Sequence, residues 1–181
     1  MSITEALNPV EALQTAYPDI IQEVAQFQGE TTIVVKPEDA PTALRYLRDT
    51  KGLFYNYLSD ISAVDYYEPT GASNRPGRFG LCYHIYSMLY NRRLRVKTYV
   101  EEENPVAPTV TTLWPAANWL EREIFDLMGI PFAGHPDLRR IMMSLDWEGH
   151  PHRRDYPLGY ETPQFSFNVE EIAQYKPFAK E

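Results

Sequence analysis

Residues 79–100 read FGLCYHIYSMLYNRRLRVKTYV. Phe79 to Tyr90 and Leu94 to Val100 are runs of aromatic and β-branched residues on either side of Asn91-Arg92, a pattern that predicts a long hairpin. Side chains alternate across a strand, so Arg93, Arg95, Lys97 and Tyr99 fall on one face and Leu94, Val96 and Thr98 on the other. One face is expected to pack on helices, and the other to be wet or to touch a partner. Upstream, Phe54 to Tyr67 reads as a further strand, with a break expected near Ser59-Asp60. The turn-forming cluster Pro69 to Gly77 links it to the hairpin as an exposed loop.

Further out, Ile20 to Phe27 and Thr31 to Val35 form a second predicted hairpin around Gln28-Gly29-Glu30. Asn8, Pro9 and Glu11 give a helix start with a cap, a proline at the first helical position and capping-box spacing. From Glu38 to Lys51, Ala40, Ala43, Leu44 and Leu47 recur at helical spacing, and Gly52 is the expected stop. Pro115 to Met128 is a third helix, closed by Gly129 and Pro131. Helix, strands, helix, strands gives an α+β plan: two layers, a mixed β-sheet with helices on one face, then an extended C-terminal tail. The expected division is 1–133 for the α+β domain and 134–181 for the tail.

The 181 residues fit one domain, and the 44% hydrophobic share is enough to fill a core. A formal net charge of -8 argues against a nucleic-acid module, whose footprint is a basic face. The single cysteine, Cys82, rules out a disulfide framework and any iron–sulfur cluster held by this chain alone. The N-terminus lacks the cationic start and apolar run of a secretory signal, and no apolar stretch approaches the ~20 residues needed to cross a bilayer. A reducing cytosolic compartment is expected, with membrane contact only through something embedded there.

In the third helix, Ala116, Leu120, Ile124 and Leu127 form one stripe, with Trp119 and Met128 at its margins. Glu123 falls within that stripe. Either it reaches out to solvent from the core edge, or it is paired with a tail arginine, and the second reading is favoured with Arg139 or Arg140 as partner. Arg122 and Asp126, four apart, read as an ordinary surface pair. Glu121 and Glu123 diverge by about 200° and cannot share a substrate. In the tail, Arg139, Arg140, Arg153 and Arg154 balance Asp137, Asp146, Glu148 and Asp155, which resembles an ordered interface. His135, His150 and His152 have poor spacing for a metal site. Cys82 and His84 share a strand face, and a buried thiol beside a core histidine is commoner than a catalytic pair.

The run Glu121 to Ile130, followed by Gly134-His135-Pro136-Asp137-Leu138-Arg139-Arg140-Ile141, resembles the signature of the 30 kDa subunit of respiratory complex I. In bacteria that family is the C subunit of NADH-quinone oxidoreductase. Glu148-Gly149-His150-Pro151-His152-Arg153-Arg154-Asp155-Tyr156-Pro157-Leu158 resembles its second block, and Leu53 to Asp65 is more weakly similar. His152 departs from an apolar preference at its position. The resemblance implies a non-catalytic subunit of the peripheral arm of a proton-translocating complex, on the cytoplasmic face of the cell membrane. It implies no cofactor in this chain, with FMN and Fe-S clusters in partner subunits carrying electrons from NADH to quinone. It implies packing against the 49 kDa-type quinone-cavity subunit and the terminal-cluster subunit. Glu121, Arg122, Glu123, Asp126, Gly134, His135, Asp137, Arg139, Arg140, Gly149, His150, Arg153, Arg154 and Asp155 are then signature and interface residues. The equivalent subunit of a membrane-bound hydrogenase or ferredoxin-dependent quinone reductase is the alternative.

Overall fold

The computed structural model describes residues 5–69 and 75–157. The middle of the predicted 69–77 loop and the last part of the predicted tail, 158–181, lie outside the described residues. Helix α1 (Pro9–Ala16) starts where its chemistry directs: Asn8 accepts a hydrogen bond from the Val10 amide at 3.0 Å and donates to Glu11 at 3.0 Å. Strands β1 (Ile21–Phe27) and β2 (Glu30–Val35) follow as an antiparallel hairpin. Gln28 and Gly29 both have positive φ, the conformation a two-residue hairpin loop needs to match the strand twist. A short 3-10 turn leads into α2 (Ala40–Asp49), which is followed by β3 (Tyr57–Asp65), β4 (Phe79–Ser87) and β5 (Arg92–Val100).

The five strands lie in the order β1-β2-β5-β4-β3. Within this sheet every pairing is antiparallel except β2 with β5. That parallel pair joins the N-terminal hairpin to the β3-β4-β5 meander, so the middle of the sheet depends on contacts distant in sequence. The break expected near Ser59-Asp60 is a register shift between Leu58 and Asp60. Strand β4 ends at Ser87, earlier than expected, because residues 88–91 form the turn; Asn91 takes positive φ there and accepts from the Tyr86 hydroxyl at 2.6 Å.

Alternation assigns the faces as the sequence indicates. Leu94, Val96, Thr98 and Val100 are buried beside Ile85, Tyr83, Leu81 and Phe79 of β4. Leu13, Ala43, Leu44 and Leu47 of the first two helices cover this face and belong to the same core cluster. Helix α3 (Ala117–Met128) packs against β3 and contributes Ala117, Ile124 and Met128. It is flanked by β6 (Ala107–Pro108) and β7 (Phe132–Ala133), a two-residue parallel pair too short to be legible as strands in the sequence. Residues 134–157 carry no helix or strand, yet they lie against α3.

Leu81 is fully buried on β4, opposite Thr98 of β5. Leu81→Ala is expected to lower unfolding free energy by about 2–5 kcal/mol through lost burial and the cavity left behind, read as a fall in the urea midpoint.

Candidate functional site

The polar centre of the molecule is the contact between α3 and residues 134–157. Glu121 and Asp126 are completely buried and Arg122 is nearly so, whereas Glu123 is exposed. The expected Glu123 ion pair is therefore absent among the described residues, and the expected Arg122–Asp126 surface pair is neither at the surface nor a pair. Ala116 is exposed and Trp119 is 63% exposed, so the buried surface is rotated from the predicted stripe. The physical reason is that α3 is covered on two sides. The sheet covers the apolar side through Ala117, Ile124 and Met128, and the tail covers a charged flank that apolar periodicity does not register.

Asp126 is the main fastening. Its carboxylate accepts from Arg140 Nη1 at 2.9 Å and from three successive amides, Ile141, Met142 and Met143, at 3.0, 2.7 and 2.8 Å. Burial acts to raise its pKa, but these amides and the Arg140 guanidinium outweigh it and hold the carboxyl below its ordinary value. Arg140 also donates to the Gly149 carbonyl, tying the two halves of the segment together within one hydrogen-bonded unit. Arg122 donates from Nε to the Arg139 carbonyl at 3.0 Å and lies 5.1 Å from the Trp119 ring.

The C-terminus of α3 is capped by the same segment. A helix leaves its last carbonyls without intrahelical partners. Here His150 Nδ1 donates to the Asp126 carbonyl at 2.8 Å, and the His152 amide donates to Leu127 at 3.0 Å. Arg153 donates to Met128 at 2.7 Å and to Gly129 at 3.1 Å. Four successive carbonyls are thus satisfied by residues 150–153, and a cation sits at the negative end of the helix dipole. Gly129 closes the helix at φ +69°, where a Cβ would collide with the His150 ring and the Arg153 guanidinium.

A second charged cluster centres on buried Arg78. It pairs with Asp65 through Nε at 3.0 Å and Nη2 at 2.9 Å, with Glu102 at 2.6 Å and with Asp155 at 2.7 Å. The Arg154 amide donates to Asp65 at 2.9 Å, so the end of the segment is bound to the strand ends as its beginning is bound to α3. The faces of Tyr67 and Phe79 enclose the guanidinium. Burial opposes its charge, but the three carboxylates outweigh burial and raise its pKa. Asp65 shows the mirror case: burial raises it, and Arg78 with two amides brings it below its ordinary value.

The remaining residues singled out in the sequence have simpler placements. Glu121 accepts from Thr109 Oγ1 at 2.6 Å and from the Val110 amide at 2.7 Å, with His135 Nε2 3.9 Å away. Asp137 and Arg139 pair with each other at the surface, and Arg154 reaches exposed Glu68 at 3.5 Å. Gly134 and Gly149 both take positive φ at bends of the segment. Among the described residues no group of three or more His, Cys, Asp or Glu side chains is placed to hold a metal ion. Arg78 and Asp65 do not stand out in the sequence, since an isolated arginine before a strand carries no local signal of burial. The arrangement is a set of charge-assisted fastenings that hold a segment without secondary structure onto an α+β core.

Asp126→Ala strands Arg140 and three amides, so a loss of about 3–5 kcal/mol is expected, whereas Glu123→Ala should change stability by less than about 0.5 kcal/mol. Chemical denaturation of the two variants side by side distinguishes them. Asp126 and Asp65 have folded-state pKa values below the ordinary 3.8. Their contribution is therefore fully present above that value and is lost as pH falls through the lowered range. A thermal-melt series taken downward in pH should show Tm dropping there, with a smaller drop in Asp126→Asn.

A family model described as the respiratory-chain NADH dehydrogenase 30 kDa subunit matches residues 33–162. The chain is 45% identical over 172 residues to the C subunit of NADH-quinone oxidoreductase from Roseiflexus sp., covering 95% of each chain. It is 47% identical over 146 residues to the protein of the same name from Geotalea uraniireducens, covering 81% of this chain and 84% of that one. Among solved structures, a trypsin-resistant fragment of Nqo5 is 36% identical with TM-score 0.60, covering 72% of this chain and all of the fragment. An archaeal membrane-bound sulfane sulfur reductase contains a chain of the same fold at 21% identity and TM-score 0.63, covering 95% of this chain and 94% of that one. With both signature blocks folded into one clamp and the family model spanning most of the molecule, this chain belongs to the 30 kDa subunit family of respiratory-chain NADH dehydrogenase.

Proposed function

We propose that this chain is a structural component, equivalent to the C subunit of its relatives, in the peripheral arm of a proton-translocating NADH-quinone oxidoreductase. In this reading it supplies shape and gripping surface, while FMN and iron–sulfur clusters in partner subunits carry electrons from NADH to quinone. The observation that carries the reading is the clamp itself. The signature residues Arg122, Asp126, Arg140, His150, Arg153 and Asp155 are engaged in holding residues 134–157 to the core, and none of them forms a nucleophile–base pair among the described residues. A chain with one cysteine also has too few thiolates to hold an iron–sulfur cluster by itself.

The proposed partners are the 49 kDa-type subunit that builds the quinone cavity and the subunit that holds the terminal cluster. Beside the clamp, Trp119, Met142 and Leu145 are 63%, 63% and 87% exposed. Large apolar side chains displayed next to a rigid polar anchor suit coverage by another protein surface. No helix among the described residues is long and apolar enough to cross a membrane. By analogy with the family, the proposed location is peripheral, on the cytoplasmic face, with attachment through the complex. The fold alone is shared with the archaeal sulfane sulfur reductase chain, so the fold does not discriminate between electron donors. Identities of 41–47% to proteins named as the C subunit of NADH-quinone oxidoreductase favour NADH over a hydrogenase or ferredoxin-linked assembly.

Weakening the clamp should act on assembly rather than on chemistry. Asp126→Ala is expected to lower the amount of complex recovered in mild detergent several-fold while turnover per assembled flavin stays at the unmodified level. Normal recovery with slowed electron transfer would contradict the structural role. Copurification with a hydrogenase in place of a flavin-bearing subunit would redirect the donor assignment.

A further inference from the structure

Among the described residues, Glu121 is the one completely buried carboxyl of α3 that holds no guanidinium. Its Oε1 accepts from the Val110 amide at 2.7 Å, and its Oε2 lies 2.6 Å from Thr109 Oγ1. Thr109 Oγ1 is in turn 2.9 Å from Thr111 Oγ1, and both threonines are only half-buried. The carboxyl therefore lies at the inner end of a two-hydroxyl chain that begins near the surface. From β4 it faces Tyr83, whose fully buried hydroxyl has no hydrogen-bond partner among the described residues. From the tail it faces His135, whose Nδ1 accepts from the Asp137 amide at 3.0 Å while Nε2 is 3.3 Å from the Asn118 carbonyl. The neutral ring is then the tautomer with the proton on Nε2, directed between that carbonyl and Oε2, 3.9 Å away. Arg122, next in sequence, points the other way onto the carbonyls of Arg139 and Arg140.

We propose that Glu121 is a proton-binding site that loads and empties through the hydroxyls of Thr109 and Thr111, with the heavy atoms staying in place. A solvent proton adds to Thr111 Oγ1, the Thr111 hydroxyl proton passes to Thr109 Oγ1, and the Thr109 hydroxyl proton passes to Oε2. One proton enters, one O–H bond forms on the carboxyl, and each threonine ends with a single hydroxyl proton. In the loaded state Oε2–H donates to Thr109, Thr109 donates to Thr111, and Oε1 still accepts from Val110. In the empty state Thr109 donates to Oε2. Both states are fully hydrogen-bonded, which is the condition for exchange without rearrangement.

The electrostatics place this exchange within a useful range. Burial raises the Glu121 pKa, and the Thr109 and Val110 bonds recover only part of that rise, so it stands at about 6. The folded chain therefore binds this proton more strongly than the unfolded chain does, and the site stabilises the fold as pH falls from neutrality toward 5. Loading also removes the negative charge facing His135 Nε2–H, at the point where the tail leaves the β6–β7 pair. The grip on the start of the tail is thereby coupled to proton occupancy.

Carbon-13 NMR of the full chain, labelled at the glutamate side-chain carboxyls, tests both parts. One signal is expected to titrate near pH 6, and E121Q should remove that signal alone. T109V takes away a donor that favours the charged form and should shift the midpoint upward, which also serves as the assignment should E121Q not fold. T111V should leave the midpoint in place and slow carboxyl proton exchange roughly tenfold. A Glu121 signal that shows no midpoint raised above the ordinary glutamate value overturns the site. Unchanged exchange in T111V overturns the hydroxyl route.

Discussion

The Asp126 carboxylate takes one guanidinium and three consecutive amides while completely buried. A carboxylate removed from water is tolerated only when donors replace its hydration shell, and here the donors come from a segment with no ladder hydrogen bonds of its own. Each side meets the other's need. The helix gains a neutralised charge, and the segment gains partners for backbone amides that it cannot satisfy internally. The three amides converge on one oxygen, so the backbone of residues 141–143 must curl around it. The path of the segment is set there.

The rest of the clamp extends this exchange in both directions. Toward the helix end, residues 150–153 occupy carbonyls that no helix can satisfy by itself, and Gly129 keeps space for the His150 ring and the Arg153 guanidinium. Toward the strand ends, buried Arg78 pairs with buried Asp65 and with the exposed carboxylates of Glu102 and Asp155. Losing Asp65 would take from the buried guanidinium the one of these three carboxylates that is itself buried, a larger cost than losing a surface pair such as Asp137–Arg139. The described part of the tail is held at both ends by groups whose loss is costly, and between them it displays Met142 and Leu145 outward. That is a surface built from irregular chain and fastened to the core at both of its described ends.

Much of the fold was legible because it follows from period and turn chemistry. The β4–β5 alternation, the hairpin at Gln28-Gly29, the cap at Asn8 and the stop at Gly129 are local rules acting over a few residues. The two blocks that carry the resemblance contain Arg122, Asp126, Arg140, His150 and Arg153, which the structure joins in one clamp. The role assigned to individual charges on α3 was less legible. Glu123 looked expensive because it fell in an apolar stripe, and it is exposed; Arg122 and Asp126 looked ordinary because they were four apart, and they are buried. Periodicity measures where apolar side chains point. It does not register that a polar segment fourteen to eighteen residues downstream covers a second flank of the same helix.

By itself, then, the amino-acid order determined the main elements, the faces of the β4–β5 strands and the family signature. Those properties depend on neighbours in sequence or on composition. The tertiary structure decided which charges are buried, which donor meets which acceptor, and that β2 lies parallel to β5. Those depend on burial and on pairing across long separations, where the free energy of a charge is set by what covers it rather than by the residues beside it.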